Sequence, residues 1–371
     1  MQEKYLMSSN DTILKHILDL SKKLIAIAST SDNPQGLKEV LAIARKELQG
    51  YFPIEEFESN GIPGLLVRNT DQETRHFKII LNAHLDVVPG KPDQFVPLQK
   101  DGKLYGRGAY DMKSAAAVIL LLFKEIGKHV TYPLALQLVT DEEIGGFNGT
   151  AYQIKNGVQA DFVIAGENTD LQINNQSKGI LHAVLKVSGK AAHGAYPWLG
   201  ENSIVKLQRA INSLLDAYPI PQEATWKTTI NVAKIETDNT VFNKVPDTAR
   251  AYLDIRFIPQ EKDTIQERLK SLLPKDITME IESYQPPQYT SEDNILIKQL
   301  KKQITDVTTK EVKMLATHGG SDMRFYEFRG IPAVCFGPTG FAHHGDDEWV
   351  DIQSLQDYYH ILKNFLAAIK E

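Results

Sequence analysis

The chain of 371 residues carries 41 Lys and Arg against 47 Asp and Glu, a formal net charge of −6, 42% hydrophobic residues and one cysteine. That length favours two domains, because a single core seldom grows past about 250–300 residues, and the mild acidity argues against nucleic acid or anionic lipid as a partner. One cysteine can neither close an internal disulfide nor build a thiolate cage, so any metal here must be held by imidazole and carboxylate.

The opening segment, Met1 to Asn10, lacks the basic start and the apolar run of about 7–15 residues that a secretion signal needs. The longest strongly apolar stretch, Ala115 to Phe123, is far shorter than the roughly 20 residues of a membrane-crossing helix. A soluble, cytoplasmic protein is the expectation. Asp11 to Ala28 places apolar residues at 13, 14, 17, 18, 20, 24 and 25 on one helical face, with Asn10 or Asp11 as its cap. Short apolar runs at Leu65–Val67, Phe77–Ala83, Leu134–Val139 and Phe162–Ala165 predict strands, with a helix at Lys113–Ile126 between the second and third. Strands alternating with helices indicate an α/β layer structure whose sheet is covered on both faces and is partly parallel.

From Lys178 the order changes to strand (Leu181–Val187), helix (Ser203–Ala217), two strands (Thr228–Ile235 and Thr248–Phe257), helix (Lys262–Leu273) and strand (Thr278–Tyr284). This β-α-β-β-α-β order is that of a ferredoxin-like module. Beyond Pro286 and Pro287 the α/β character returns, with helix Asn294–Val307, strands Lys313–Ala316 and Pro332–Phe336, and a final helix Asp351–Ile369. The simplest organisation is a small domain, residues 178–289, inserted into a larger one formed by 1–177 and 290–371.

Five segments carry ionisable groups suited to chemistry. His84 and Asp86 share a face of extended chain, either as a plain surface pair or as an imidazole with its orienting carboxylate. Gly106-Arg107-Gly108-Ala109-Tyr110-Asp111 leads into a helix, but Asp111 stands where a dinucleotide fingerprint needs glycine, so its carboxylate is a helix cap, a ligand or both. Asp141-Glu142-Glu143 follows a buried strand and either splays into solvent or converges on a cation. Glu167 also follows an apolar strand, and His343-His344-Gly345-Asp346-Asp347-Glu348 precedes the last helix. Carboxyl ends of strands in open α/β sheets gather in one crevice. Carboxylates crowded there repel, by about 4 kcal/mol for two charges 4 Å apart at an effective dielectric near 20, so a compensating cation is expected. Cys335, flanked by apolar residues, reads as a buried strand residue and not a nucleophile.

These segments, in this order and around this insertion, resemble the co-catalytic zinc aminoacylase and carboxypeptidase family that includes acetylornithine deacetylase, succinyl-diaminopimelate desuccinylase and glutamate carboxypeptidase. The likeness spans about residue 12 to the last helix. It implies an α/β fold: a mixed-sheet phosphorylase/hydrolase-like catalytic domain with an inserted ferredoxin-like (β-α-β-β-α-β) lid and dimerisation domain. It further implies two zinc ions, replaceable by cobalt or manganese, with His84 a ligand oriented by Asp86, Asp111 bridging the ions across a cis peptide to Met112, Glu143 and Glu167 ligands of one ion each, and His344 the remaining imidazole. His344 is preferred to His343 because the family's histidine stands four residues before a Glu, here Glu348. Glu142 would be the general base. By the same resemblance His193, in Gly189-Lys190-Ala191-Ala192-His193-Gly194, would polarise the scissile carbonyl from a partner subunit, and Asn243, Arg256 and Arg324 would contact the substrate's carbonyl or carboxylate.

The sequence departs from the family at Asn168, where proline usually follows the ligand Glu, and at Ser283–Tyr289, which lacks the basic residue of glutamate-releasing members. A dicarboxylate substrate is therefore disfavoured. The implied activity is metal-assisted hydrolysis of the amide bond in a small N-acyl amino acid or short peptide by a homodimer; the alternative is a metal-free binding protein of the same fold.

Overall fold

The computed structural model describes residues 9–370, with side chains from residue 12 onward. The reading of the N-terminal segment rests largely on residues 1–8, outside that range. In chain order the elements are α1 (Ser9–Ile25), α2 (Pro34–Leu48), β1 (Ile54–Ser59), β2 (Ile62–Arg68), β3 (His76–His84), β4 (Leu98–Lys100), β5 (Lys103–Tyr105), α3 (Lys113–Ile126), β6 (Leu134–Val139), α4 (Thr150–Lys155), β7 (Gln159–Ala165) and β8 (Ile173–Ser177). They continue with β9 (Gly179–Ser188), β10 (Ala192–His193), α5 (Ser203–Ala217), β11 (Thr229–Glu236), β12 (Lys244–Val245), β13 (Thr248–Phe257), α6 (Ile265–Leu272), β14 (Ile277–Gln285) and β15 (Gln288–Tyr289). The last are α7 (Ile295–Thr308), β16 (Met314–Thr317), α8 (Met323–Glu327), β17 (Ala333–Cys335), β18 (Gly340–Phe341), β19 (Trp349–Asp351) and α9 (Ile352–Ala368). Helix α1 already includes Asn10 and Asp11, so neither stands ahead of it as the expected cap. Among the described residues no helix is long and apolar enough to cross a membrane.

The chain divides into two compact units. One is the chain up to Asn175 with Thr290–Leu315 and Ser321–Glu371; the other is Gln176–Tyr289 with Ala316–Gly320. In the larger unit the strand order β1-β2-β6-β3-β7-β17-β8 forms a mixed sheet. Strand β3 runs parallel to β6 and β7, and β17 parallel to β7, while β2 is antiparallel to β6. Strand β3 feeds two cores: Ile79, Leu81 and Ala83 alternate toward helices α1, α3 and α9, while Ile80 between them and Phe77 at the strand's start join Met323 and Tyr326 in the other. Burial on both faces explains why these strands read as continuous apolar runs. The register sets His84 beside Val139 and Asn82 beside Ala165, so β3, β6 and β7 end at one level. A second, small sheet in the order β18-β19-β5-β4 pairs Trp349 with Tyr105, which brings the loops 106–111 and 342–348 side by side.

The smaller unit is an antiparallel sheet in the order β11-β13-β9-β14, with α5 and α6 on one face. Leu181, Ala183, Leu185 and Val187 of β9, with Ala249, Ala251, Leu253 and Ile255 of β13, point to those helices at the period of two that a strand imposes. Element order and strand order together are those of a ferredoxin-like module.

Candidate metal centre

His84 closes β3 and is 1% exposed. Its Nδ1 lies 3.0 Å from the carbonyl oxygen of Asp86 and 3.6 Å from Asp86 Oδ1, which leaves Nε2 facing Asp111 Oδ1 at 3.2 Å and Glu167 Oε2 at 3.7 Å. Asp86 has a second task, since its carboxylate accepts the backbone N–H groups of Glu142 (3.3 Å) and Glu143 (3.0 Å). The other oxygen of Asp111, Oδ2, stands 3.3 Å from His344 Nε2, and that nitrogen is 3.1 Å from Glu143 Oε2. Two donor groups result: His84, Asp111 and Glu167, and Asp111, Glu143 and His344, each with its ligand atoms within 4.8 Å of one another. Asp111 belongs to both. The Asp111–Met112 peptide bond is cis. His343 is exposed and packs its ring against Tyr110 and His344, outside both groups.

The charges in this cluster are mutually dependent. Burial opposes a charge on His84, yet Glu167 and the hydrogen bonds to Asp111 and Asp86 hold its pKa well above the ordinary value. Hydrogen bonds to Asp111 and Glu143 push His344 up to about 10. Burial, reinforced by Glu167, pushes the Glu142 carboxyl well up, and burial also raises Glu167 against the opposing pull of His84. Asp111 moves the other way: despite its burial, hydrogen bonds from His344 and His84 hold it below the usual carboxylate range. Protons thus balance the acids here, and a divalent cation could replace them.

The donor set fits a divalent metal. It is imidazole and carboxylate without thiolate, and Glu167 Oε1 is buried without a hydrogen-bond partner among the described residues. Two tetrahedral ligands at about 2.1 Å from one ion stand about 3.4 Å apart, and the nitrogen-to-oxygen separations here run from 3.1 to 3.7 Å.

The remaining predicted residues lie outside the two donor groups. In the smaller unit, exposed His193 pairs with Lys244 across the β10–β12 ladder, next to Asn243, whose carbonyl accepts the Gly194 N–H at 2.6 Å. Arg256 lies at the opposite end of β13, bonded through Nε to Asp254 Oδ1 at 2.8 Å and lining a cavity of about 740 Å³ with Lys178 and His318. Arg324 offers no free fork of donors: it is 4% exposed, and its terminal nitrogens donate to the carbonyls of Ser321 (2.6 Å) and Gly145 (2.7 Å). It braces the turn after Glu143. Cys335 sits in β17, 1% exposed, with burial pushing its thiol well up. Sequence reading missed Arg107, although its segment was singled out, and used Glu348 only as a spacing mark for His344. The two form a buried ion pair at 2.8 Å against the centre.

Comparison with known proteins places this geometry in a class. Residues 80–368 match Peptidase family M20/M25/M40. The chain is 30% identical to succinyl-diaminopimelate desuccinylase of Bordetella parapertussis, over 95% of this chain and 98% of that protein, and 28% identical to the protein of the same name from Methylibium petroleiphilum, over 95% and 97%. Its fold is similar to those of aminopeptidase PepT from Bacillus cereus (TM-score 0.76, 17% identity, 95% of this chain and 98% of that one) and of YXEP from Bacillus subtilis, a dinuclear metal binding peptidase (TM-score 0.72, 14% identity, 96% and 98%). The chain belongs to Peptidase family M20/M25/M40. It is a metal-dependent amidohydrolase.

Proposed function

We propose that the protein hydrolyses the amide bond of a small N-acyl amino acid or short peptide. His84, Asp111 and Glu167 would hold one zinc ion, and Asp111, Glu143 and His344 a second. The observation that carries this reading is the position of Asp111, whose two carboxylate oxygens face two different imidazoles at 3.2 and 3.3 Å. Zinc, when bound, supplies Lewis acidity that polarises a carbonyl oxygen and lowers the pKa of water toward about 7.

The chain's own residues then divide the remaining work. Asp86 fixes the His84 ring through Nδ1 and anchors the Glu142 and Glu143 backbone, which aims Glu142 at the cluster. Glu142, ionised when zinc is bound, would take a proton from water at a carboxylate oxygen as the water oxygen attacks the amide carbon, and deliver it to the leaving nitrogen as the C–N bond breaks. His193 would donate to the carbonyl oxygen as negative charge develops there. Within the smaller unit Arg256 lies near the far end of β13, whose first residue Thr248 follows three residues after the Val245 that pairs with Ala192. The resemblance to the family supports a homodimer in which the smaller unit lends His193 to its partner's site, with Asn243 beside it at the same ladder. Residues 1–177 with 290–371 would then be the catalytic domain and 178–289 the lid and dimerisation domain.

Relatives named for desuccinylation and structures named for aminopeptidase and dinuclear peptidase activity define the substrate panel. The absence of a basic residue in 283–289 favours substrates without a second carboxylate. Replacing Glu142 by Gln should preserve metal content while lowering kcat by about 10²–10⁴-fold. Normal turnover of the zinc-loaded variant would eliminate Glu142 as the base.

A further inference from the structure

We infer that Arg107 and Glu348 are positioning residues that lock the two metal-ligand loops into one frame, and that Arg107 sets how tightly the His344 side holds its cation. This rests on the ligand assignment proposed above. Both residues are buried, 3% and 1% exposed, and neither belongs to the two donor groups. Glu348 Oε1 accepts the backbone N–H groups of Tyr110 (2.9 Å) and Asp111 (3.1 Å), so it fixes the main chain from which the shared carboxylate projects. Glu348 Oε2 accepts Arg107 Nη1 at 2.8 Å, and the other arm of the guanidinium, Nη2, donates to the carbonyl of His344 at 3.2 Å. One planar fork thus ties the Asp111 loop to the His344 loop.

The His344 loop needs such a tie. It runs between β18 and β19, its Ala342 and His344 hold φ of 56° and 62°, where non-glycine residues are uncommon, and the His344 side chain is 47% exposed. Its backbone is also held by Gln94, whose amide donates to the carbonyls of Gly345 and Asp346 at 3.1 Å each, and by the Gly106 N–H, which donates to the Glu348 carbonyl at 3.1 Å. His84, by contrast, ends a buried strand of the main sheet and has no need of a clamp. A lysine at 107 would keep a cation opposite Glu348, but a single ammonium cannot reproduce the fixed fork that spans carboxylate and carbonyl together.

The test titrates metal-free wild type, Arg107→Lys and Glu348→Gln with cobalt(II), read by calorimetry and by the visible absorption of bound cobalt, with the melting temperature of each metal-free protein as the control for folding. A His344→Ala variant identifies the binding step that contains His344. Arg107→Lys should weaken that step by about 10–100-fold and change its cobalt spectrum, while the other step and the metal-free melting temperature stay near wild type. Glu348→Gln should weaken both steps, because Asp111 serves both. Arg107→Lys that binds cobalt with wild-type affinity and spectrum would overturn the clamp. A wild type with one binding step would speak against the two-ion reading instead, and the clamp would still stand or fall on whether Arg107→Lys weakens that step.

Discussion

A Cβ on Gly146 would lie 1.9 Å from Asp322 Oδ1, and the residue's φ of +67° is one that L side chains rarely adopt. The turn that carries Glu142 and Glu143 therefore closes directly on a buried acid, with Arg324 bracing it through the Gly145 carbonyl. Gly146→Ala should cost about 1–3 kcal/mol of stability in urea denaturation, and part of that loss should return when Asp322 is also replaced by Ser; strictly additive losses would mean that the two do not meet. At this scale the segments that form the donor groups were legible. The segments holding His84, Asp111, Glu143, Glu167 and His344 stand beside buried strands or ahead of a helix, places that suggest a crevice, while the choice of these five within them came from the family resemblance. Arg107, Glu348 and Arg324 were not legible in these roles, because the Arg107–Glu348 ion pair spans 241 residues of sequence and their other partners are backbone carbonyls and N–H groups brought close only by the tertiary fold.

Periodic elements followed from pattern and irregular ones did not. Helix α3 runs over Lys113–Ile126 and α5 over Ser203–Ala217, as their apolar spacing predicts. Helix α2 escaped notice because Asn33-Pro34-Gln35-Gly36 reads as a turn, whereas Asn33 caps the helix by accepting the Gly36 N–H at 3.1 Å and Pro34 sits where its missing N–H costs nothing. Strand β8, Ile-Asn-Asn-Gln-Ser, is polar in sequence yet mostly buried, with Asn175 donating to the Thr290 carbonyl at 2.8 Å, so tertiary hydrogen bonding overrode composition. The three-residue strands of the small sheet are too short to show a period. Between helices, Glu125 of α3 accepts hydrogen bonds from Lys363 at 2.6 Å and from Tyr359 of α9. Burial opposes its ionisation, but those bonds outweigh it and lower its pKa. The stabilisation is therefore complete above the unfolded value of about 4.3 and disappears as pH falls through the lower folded value. Because the side chain is 41% exposed, Glu125→Gln should cost less than about 1 kcal/mol at pH 7. The difference from wild type should shrink between pH 7 and pH 3.5; one that persists unchanged would show that the charge is not the cause.

For the molecule as a whole, the order of elements suggested one α/β module inserted into another, and the chain divides into two compact units, the smaller one Gln176–Tyr289 with Ala316–Gly320. Segment Ala316–Gly320 was unforeseen: it lies in the second stretch of the larger domain by number but belongs with the smaller unit. Its short strand and glycines give no pattern that could assign it from sequence. The most direct test of the shared-carboxylate arrangement is anomalous diffraction at the zinc edge from crystals grown with zinc. Two peaks should flank Asp111, one against His84 and Glu167 and the other against Glu143 and His344. A single peak, or peaks that leave Asp111 uncoordinated, would contradict it.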